Sequence, residues 1–187
     1  MKNIVIFASG SGTNAENIMA HFSASTTATV VAVFCNNEEA KVVDRAKNWN
    51  VPTVLFTKEE LSSNAVLAQL QLYAPDLIIL AGFLLKFPSC IVQAYPNKII
   101  NIHPALLPKY GGKGMYGMHV HKAVVQNNEK ETGITIHYVN ENYDEGNVLF
   151  QERVLILPTD SPEDVALKVL ELEHRFLPQV IEQLLNQ

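Results

Sequence analysis

The fold is decided by one stretch near the start of the chain, Ile4-Val5-Ile6-Phe7-Ala8-Ser9-Gly10-Ser11-Gly12-Thr13-Asn14-Ala15. Its first five residues are continuously apolar, which is typical of a strand buried on both faces of a parallel sheet. The glycine turn that follows leads into a helical pattern over Thr13–Phe22. A strand that passes through a tight glycine turn into a helix indicates the start of an α/β fold.

The same alternation continues along the first half of the chain. Apolar runs recur at residues 30–35 and 77–81, and helical patterns cover residues 38–48 and 58–73. Strands that alternate with helices at this spacing predict right-handed crossover units. We therefore predict a single α/β domain over residues 1–187, with a Rossmann-like, mostly parallel sheet and helices on both faces.

The second half of the chain has a different pattern. Further strands are predicted at residues 98–103, 132–139 and 148–157, and a long glycine-rich loop lies between the first two of them. Long ordered loops in compact domains are commonly functional. The chain ends in a long helix, for which Ser161 is the predicted N-cap, Pro162 the first helical residue and Asp164 the partner in a capping box.

Composition narrows the class of protein. The chain has 187 residues, of which 48% are hydrophobic and 18% charged, as in globular proteins. Its net charge of −5 argues against nonspecific nucleic-acid binding and against docking on an anionic membrane. No run of apolar residues is long enough for a membrane span, and Cys35 and Cys90 form no disulfide or metal framework. We predict a cytoplasmic protein with no nucleic-acid and no membrane partner.

The glycine turn is the first candidate binding site. A turn of this kind at a helix N-terminus presents unpaired amides and a positive dipole, which suit a phosphate group. With Ala15, the turn also matches the dinucleotide fingerprint, but Asn36 and Asn37 occupy the place where that fingerprint has a ribose-binding acid. The turn therefore leaves open a nicotinamide-dependent oxidoreductase and a noncatalytic nucleotide-binding module.

The second candidate site is a pair of polar residues at a strand end. Asn101 and His103 are two positions apart, so both side chains leave the same face of the sheet. A histidine can transfer protons near neutral pH, and an asparagine amide can donate to a developing oxyanion. Asp144 lies in a polar turn between two strands, and if the fold returns it to His103, we expect its carboxylate to raise the pKa of the imidazole.

Glu173 and the histidines complete the set of candidates. Glu173 lies on an apolar flank of the last helix, so its carboxylate needs a partner, which a protein cation, water or a ligand could supply. His119, His121 and His137 could be metal ligands. No cysteine cluster or His-Glu-x-x-His helix accompanies them, so we predict no metal.

Several motifs resemble those of the folate-dependent formyltransferase family, in the branch that acts on glycinamide ribonucleotide. The resemblance covers essentially the whole chain, and its motifs are Ser9-Gly10-Ser11-Gly12-Thr13-Asn14, Ala81-Gly82-Phe83, Asn101-Ile102-His103-Pro104 through Tyr110, Asp144-Glu145-Gly146 and Glu173-His174. It implies transfer of the formyl group of 10-formyltetrahydrofolate to the amine of glycinamide ribonucleotide, in de novo purine biosynthesis. It also implies small-molecule substrates and allows a homodimer.

The resemblance also assigns roles to residues. It implies that Asn101, His103 and Asp144 are the catalytic residues. Gly12, Thr13 and Asn14 would hold the ribonucleotide phosphate, and Glu173 would contact the glycinamide end. The residues implied in folate binding are Leu84, Leu85, Lys86, Phe87, Asn101, Asn140, Glu141, Asn142, Tyr143 and Asp144.

Two positions and one loop depart from the pattern of the better-known relatives. Leu85 replaces an arginine, Leu170 replaces a polar residue, and the glycine-rich loop at residues 111–117 is longer than usual. Contacts to the folate tail must therefore come from other residues, for which Lys58 and Lys86 are the candidates.

Overall fold

A single seven-stranded sheet forms the centre of the computed structural model, which describes residues 1–186. The strand order is β3-β2-β1-β4-β5-β6-β7. The first five strands are parallel, and β6 and β7 are antiparallel to their neighbours. The strands are β1 Lys2–Ala8, β2 Ala28–Cys35, β3 Thr53–Leu55, β4 Leu77–Leu80, β5 Ile99–His103, β6 Glu131–Tyr138 and β7 Val148–Leu155.

Helices cover both faces of this sheet, as predicted. Apolar side chains of α1, α2 and α7 pack on one face, and those of α3, α4 and α5 pack on the other. Among residues 1–186, no helix has the length and apolar character that crossing a bilayer requires. The helices are α1 Thr13–Phe22, α2 Lys41–Asn48, α3 Lys58–Ser62, α4 Ala65–Leu72, α5 Ser89–Ala94, α6 Met118–Gln126 and α7 Pro162–Leu185.

The apolar first strand explains why both faces must be covered. Ile4, Ile6 and Ala8 belong to the core cluster on one face of the sheet. Val5 and Phe7 belong to the cluster on the other face, where the Phe7 ring stacks on Phe34 at a centroid distance of 4.9 Å. Because all of these side chains are buried, β1 is stable only as a central strand between two helical layers.

The helical pattern at residues 58–73 is the main correction to the predicted elements. The structure has two helices there, α3 and α4, instead of one. Thr57 and Glu60 form a capping box that starts α3, and Ser63 is extended, with ψ of −177°, so the first helix cannot continue. The short elements β3, α5 and α6 were not predicted, because each is too brief or too close to glycine and proline to show a clear period.

The strand order creates a crevice at the carboxyl ends of β1 and β4. After β1 the chain turns to one face and forms α1, whereas after β4 it turns to the other face and forms α5. Ligands of open α/β sheets bind at such a point, beyond the carboxyl ends of the strands. The antiparallel pairing of β5 with β6 extends the crevice on the β5 side, because it places His137 opposite Asn101 and Thr135 opposite His103.

The start of α7 agrees with the sequence prediction. The Ser161 hydroxyl accepts a hydrogen bond from the Asp164 amide at 3.2 Å, and the Asp164 carboxylate accepts from the Ser161 amide at 2.9 Å. Pro162 occupies the first turn of the helix. This capping box satisfies two backbone amides that would otherwise lack partners.

Loss of this cap should destabilise the protein. We expect Ser161→Ala to lower the free energy of unfolding by about 1 kcal/mol, because the Asp164 amide loses its acceptor. Denaturant unfolding followed by circular dichroism measures the change. Ser89→Ala is the control, since Ser89 is an exposed first-turn serine of α5 and Pro88, not a serine, precedes that helix as its N-cap.

Candidate active site

A cleft of about 990 Å³ opens at the carboxyl edge of the sheet. It is lined by the glycine turn after β1, the segment after β4, the end of β5, the loop before α6, the turn between β6 and β7, and one side of α7. The residues that the resemblance assigns to catalysis, ribonucleotide binding and folate binding all line this cleft. The structure therefore brings together residues from both ends of the chain.

The Asp144 carboxylate is the centre of one polar cluster in the cleft. Its side chain is only 11% exposed. It accepts hydrogen bonds from the Gly112 amide at 2.9 Å and from the Asn101 amide nitrogen at 3.3 Å. His103 Nδ1 lies 3.6 Å from Oδ2, so the predicted proximity of Asp144 and His103 is confirmed. Although burial works to raise the pKa of Asp144, the nearby rings of His137 and His103 and the Gly112 amide hold this pKa below its usual range.

His103 has an oxygen acceptor at each ring nitrogen. Nε2 donates to the Tyr110 carbonyl at 2.7 Å, and Nδ1 faces the Asp144 carboxylate. Only the doubly protonated ring can donate to both. Burial nevertheless lowers the pKa of His103, and the raising effects of Asp144 and Tyr110 do not restore it. The expected rise in this pKa was wrong, because desolvation of a buried imidazolium outweighs one neighbouring carboxylate.

His137 is a member of the cluster that the sequence argument considered only as a metal ligand. Its Nδ1 donates to the Tyr138 carbonyl at 2.8 Å, so Nε2 of the neutral ring accepts from Asn101 Nδ2 at 3.1 Å. This contact sets which way the Asn101 amide faces. Among residues 1–186, no group of three or more candidate ligands is placed to hold a metal ion.

The glycine turn is held in place by α2. Gly12 has a φ of +72°, and a Cβ at this position would lie 2.5 Å from the Val42 side chain, so glycine is required. The Val42 amide donates to the Gly10 carbonyl at 3.2 Å, and Arg45 Nε donates to the Ser11 carbonyl at 2.8 Å. These bonds fix the turn at the start of α1, where the first helical amides lack partners within the helix.

Glu173 lies at the α7 side of the cleft and pairs with the glycine-turn segment. Asn14 Nδ2 donates to Glu173 Oε2 at 2.8 Å, and among residues 1–186 no lysine or arginine forms an ion pair with this carboxyl group. Burial raises the pKa of Glu173 to about 7. Asn14 Oδ1 is buried without a hydrogen-bond partner. A protein cation therefore does not supply the partner that the sequence argument required.

The segments expected to bind folate also lie in the cleft. Residues 84–87 include the buried Phe87 and the half-exposed Leu84, and they follow the crevice between β1 and β4. The turn at residues 140–144 is anchored by Gln93, whose amide donates to Glu141 at 2.9 Å. Lys86 is exposed at the cleft, whereas Lys58 lies on α3 outside it. Of the two candidate cations, only Lys86 is positioned for this site.

Comparison with known proteins defines the class to which this fold and site belong. The formyl transferase family model matches residues 2–181, which is nearly the whole chain. The chain therefore belongs to the formyl transferase family.

Several similar proteins are named phosphoribosylglycinamide formyltransferase. A phosphoribosylglycinamide formyltransferase of Bacillus subtilis is 35% identical, with 100% of this chain and 96% of the relative aligned. A chloroplastic enzyme of the same name from Arabidopsis thaliana is 38% identical over 96% of this chain, which spans 64% of that relative's length. The crystal structure of the Bacillus halodurans phosphoribosylglycinamide formyltransferase superposes with a TM-score of 0.90 at 35% identity, covering 100% of this chain and 96% of that one.

Neutralising Asp144 should change the protonation of His103. We expect Asp144→Asn to lower the pKa of His103 further, because the carboxylate that favours the imidazolium is removed. Asp144 has a φ of +54°, a conformation that asparagine also tolerates, so the backbone should be kept. NMR titration of the His103 ring measures the shift. An unchanged His103 pKa would contradict the coupling.

The buried Glu173 should make stability depend on pH. Its pKa is raised in the folded protein, so the folded state binds more protons than the unfolded state between pH 4.5 and about 7, and stability falls as the pH rises through this window. The full loss is roughly 3 kcal/mol above pH 7. We expect Glu173→Gln to remove this dependence and to be the more stable protein at pH 8. Melting curves from pH 4 to 8 measure it, with the exposed Glu171→Gln as the charge control.

Proposed function

We propose that this enzyme transfers the formyl group of 10-formyltetrahydrofolate to the primary amine of glycinamide ribonucleotide, giving formylglycinamide ribonucleotide and tetrahydrofolate. One observation carries the proposal. A single cleft joins a glycine turn suited to a phosphate with a buried cluster of amide, imidazole and carboxylate groups suited to acyl transfer. The names of the relatives supply the substrate, and the residues of the cleft agree with it.

The cleft has a place for each substrate. The phosphate of the ribonucleotide meets the amides of Gly12, Thr13 and Asn14 at the start of α1. Asn14 Oδ1 and the Glu173 carboxyl group can accept hydrogen bonds from donor groups of the ribonucleotide. The ring system of the folate packs against the apolar side chains at residues 84–87 and the turn at residues 140–144. The volume of about 990 Å³ is at the upper end for ligand sites, as two substrates require.

Asn101 and His103 stabilise the negative charge that develops on the formyl oxygen. 10-Formyltetrahydrofolate supplies the formyl group, and the ribonucleotide supplies the attacking amine. In the free protein the Asn101 amide hydrogens face His137 and Asp144, and His103 Nε2 faces the Tyr110 carbonyl. These contacts hold the donors in position before the substrates enter. When the folate binds, its formyl oxygen competes with the present acceptors for the same donors.

His103 also moves the proton that the reaction requires. The attacking amine loses a proton, and the folate nitrogen that departs gains one. An imidazole whose pKa lies below its ordinary value is mostly neutral at pH 7, so it can accept a proton and give it up again. Asp144 stabilises the imidazolium while the proton is held, because its carboxylate stays ionised.

Neither alternative function is supported. The position of the ribose-binding acid of nicotinamide enzymes holds Asn36, whose side chain accepts a hydrogen bond from Ser9. A noncatalytic nucleotide-binding module would need only the glycine turn. It would not need the buried Asp144 carboxylate with four polar groups around it, from Asn101, His103, Gly112 and His137. Membership of the formyl transferase family favours catalysis over both. The homodimer and the cytoplasmic location stay predictions.

Removal of the imidazole should abolish most of the turnover. We expect His103→Ala to lower kcat by about 10²–10³-fold, because an oxyanion donor and the proton carrier are lost together. A spectroscopic assay with ribonucleotide and 10-formyl folate measures it, beside an NADH titration that should show no binding. His21→Ala is the control, since His21 lies on α1 outside the cleft and pairs with Glu182. Near-full activity of a folded His103→Ala protein would refute the assignment.

A further inference from the structure

Ser9 connects the carboxyl ends of three neighbouring strands. It follows β1 directly, is 8% exposed and does not line the cleft. Its amide donates to the Gly82 carbonyl after β4 at 3.1 Å, and its hydroxyl donates to Asn36 Oδ1 after β2 at 2.6 Å. The same hydroxyl oxygen accepts from the Leu84 amide at 3.1 Å. One small side chain thus links the turn after β1 to the segment that forms another wall of the cleft.

The wall at residues 83–87 has few other polar restraints. Within the part of the chain that the structure describes, the bond from the Leu84 amide to Ser9 is the one hydrogen bond made by the backbone of these five residues. The remaining restraints are aromatic. Phe83 and Phe87 contact the Phe7 ring edge-on, at centroid distances of 5.4 and 5.0 Å. Aromatic packing holds the segment against the core, but it specifies the backbone position less closely than a directional hydrogen bond does.

The glycine turn, in contrast, has restraints that do not involve the Ser9 hydroxyl. The Gly10 carbonyl accepts from Val42, the Ser11 carbonyl accepts from Arg45, and the Gly12 carbonyl accepts from the Glu16 amide at 2.9 Å. Loss of the hydroxyl would therefore leave this turn in place. The two sides of the cleft depend on Ser9 to different degrees.

We propose that Ser9 is a positioning residue whose hydroxyl sets the backbone of residues 83–87, and thereby the affinity for the folate substrate, without contacting either substrate. The kinetic part of this inference rests on the proposed function, because it takes residues 84–87 as the folate wall. The structural part, that the hydroxyl holds the Leu84 amide, does not.

The structural part is tested on the free protein. We expect the Leu84 amide to exchange with solvent at least tenfold faster in Ser9→Ala than in the parent protein, as measured by hydrogen exchange with NMR detection. Ser25→Ala is a matched control, because the Ser25 hydroxyl likewise accepts from backbone amides, those of Thr27 and Ala28, but in an exposed turn that does not line the cleft. Unchanged exchange at Leu84 in a folded Ser9→Ala protein would overturn the proposal.

The kinetic part is tested by separating the two Michaelis constants. We expect Ser9→Ala to raise KM for 10-formyltetrahydrofolate about tenfold, the effect of losing one hydrogen bond to a part-buried amide, and to leave KM for the ribonucleotide within about twofold. Ser9→Thr keeps the hydroxyl and should restore most of the folate KM. Asn36→Ala removes one partner of the hydroxyl but not the Leu84 bond, so its effect should be smaller. Equal rises in both KM values, or failure of Ser9→Thr to rescue a folded protein, would contradict a specific role.

These outcomes separate the inference from the function on which it rests. If the parent protein transfers no formyl group to the ribonucleotide, the proposed function fails, while the exchange at Leu84 still tests the role of the hydroxyl. If the parent protein is active and Ser9→Ala has parent-like exchange and KM values, only the inference fails.

Discussion

The buried carboxylate of Asp144 is the interaction around which the site is organised. A carboxylate removed from water must be matched by donors, or its burial costs more than the fold can supply. The groups that face it come from separate parts of the chain: the Asn101 amide near the end of β5 and the Gly112 backbone amide donate to it, and the His137 ring at the end of β6 lies 3.6 Å away. Each donor is positioned by a different element. The requirement to pair one charge therefore draws the glycine-rich loop and the turn between β6 and β7 onto the edge of the sheet.

The fold was largely predictable because its main elements have strong local patterns. Strands buried on both faces are continuous apolar runs, and α1 and α7 begin at a glycine turn and a capping box that the sequence shows directly. The errors lie where local patterns are weak. The apolar spacing continues from α3 into α4 although the backbone at Ser63 is extended, and β3 has only three residues. In these places tertiary packing decides the structure, and the local spacing of apolar residues does not indicate that packing.

That the candidate site residues meet in one cleft was predictable, but their electrostatics were not. Spacing placed Asn101 and His103 on one face, and the resemblance supplied Asp144. His137 was interpreted only as a metal ligand, although its register opposite Asn101 follows from antiparallel pairing, which a sequence does not specify. The direction of the His103 pKa depends on how completely the ring is buried, which is a property of the assembled cleft. The attraction between a carboxylate and an imidazolium could be predicted from the residue types, but the desolvation of the ring could not.

Two residues beside His103 have left-handed backbone conformations, Tyr110 at φ +56° and Asp144 at φ +54°. For a tyrosine this conformation costs on the order of 1 kcal/mol, which glycine would avoid. The Tyr110 carbonyl is also the acceptor for His103. A protein engineer who selects for thermal stability would be drawn to this position, and the gain would come from relaxing the backbone that orients the imidazole. At Tyr110, greater stability would thus come at the expense of the orientation of the His103 ring, so thermostable variants of this enzyme are best sought at other positions.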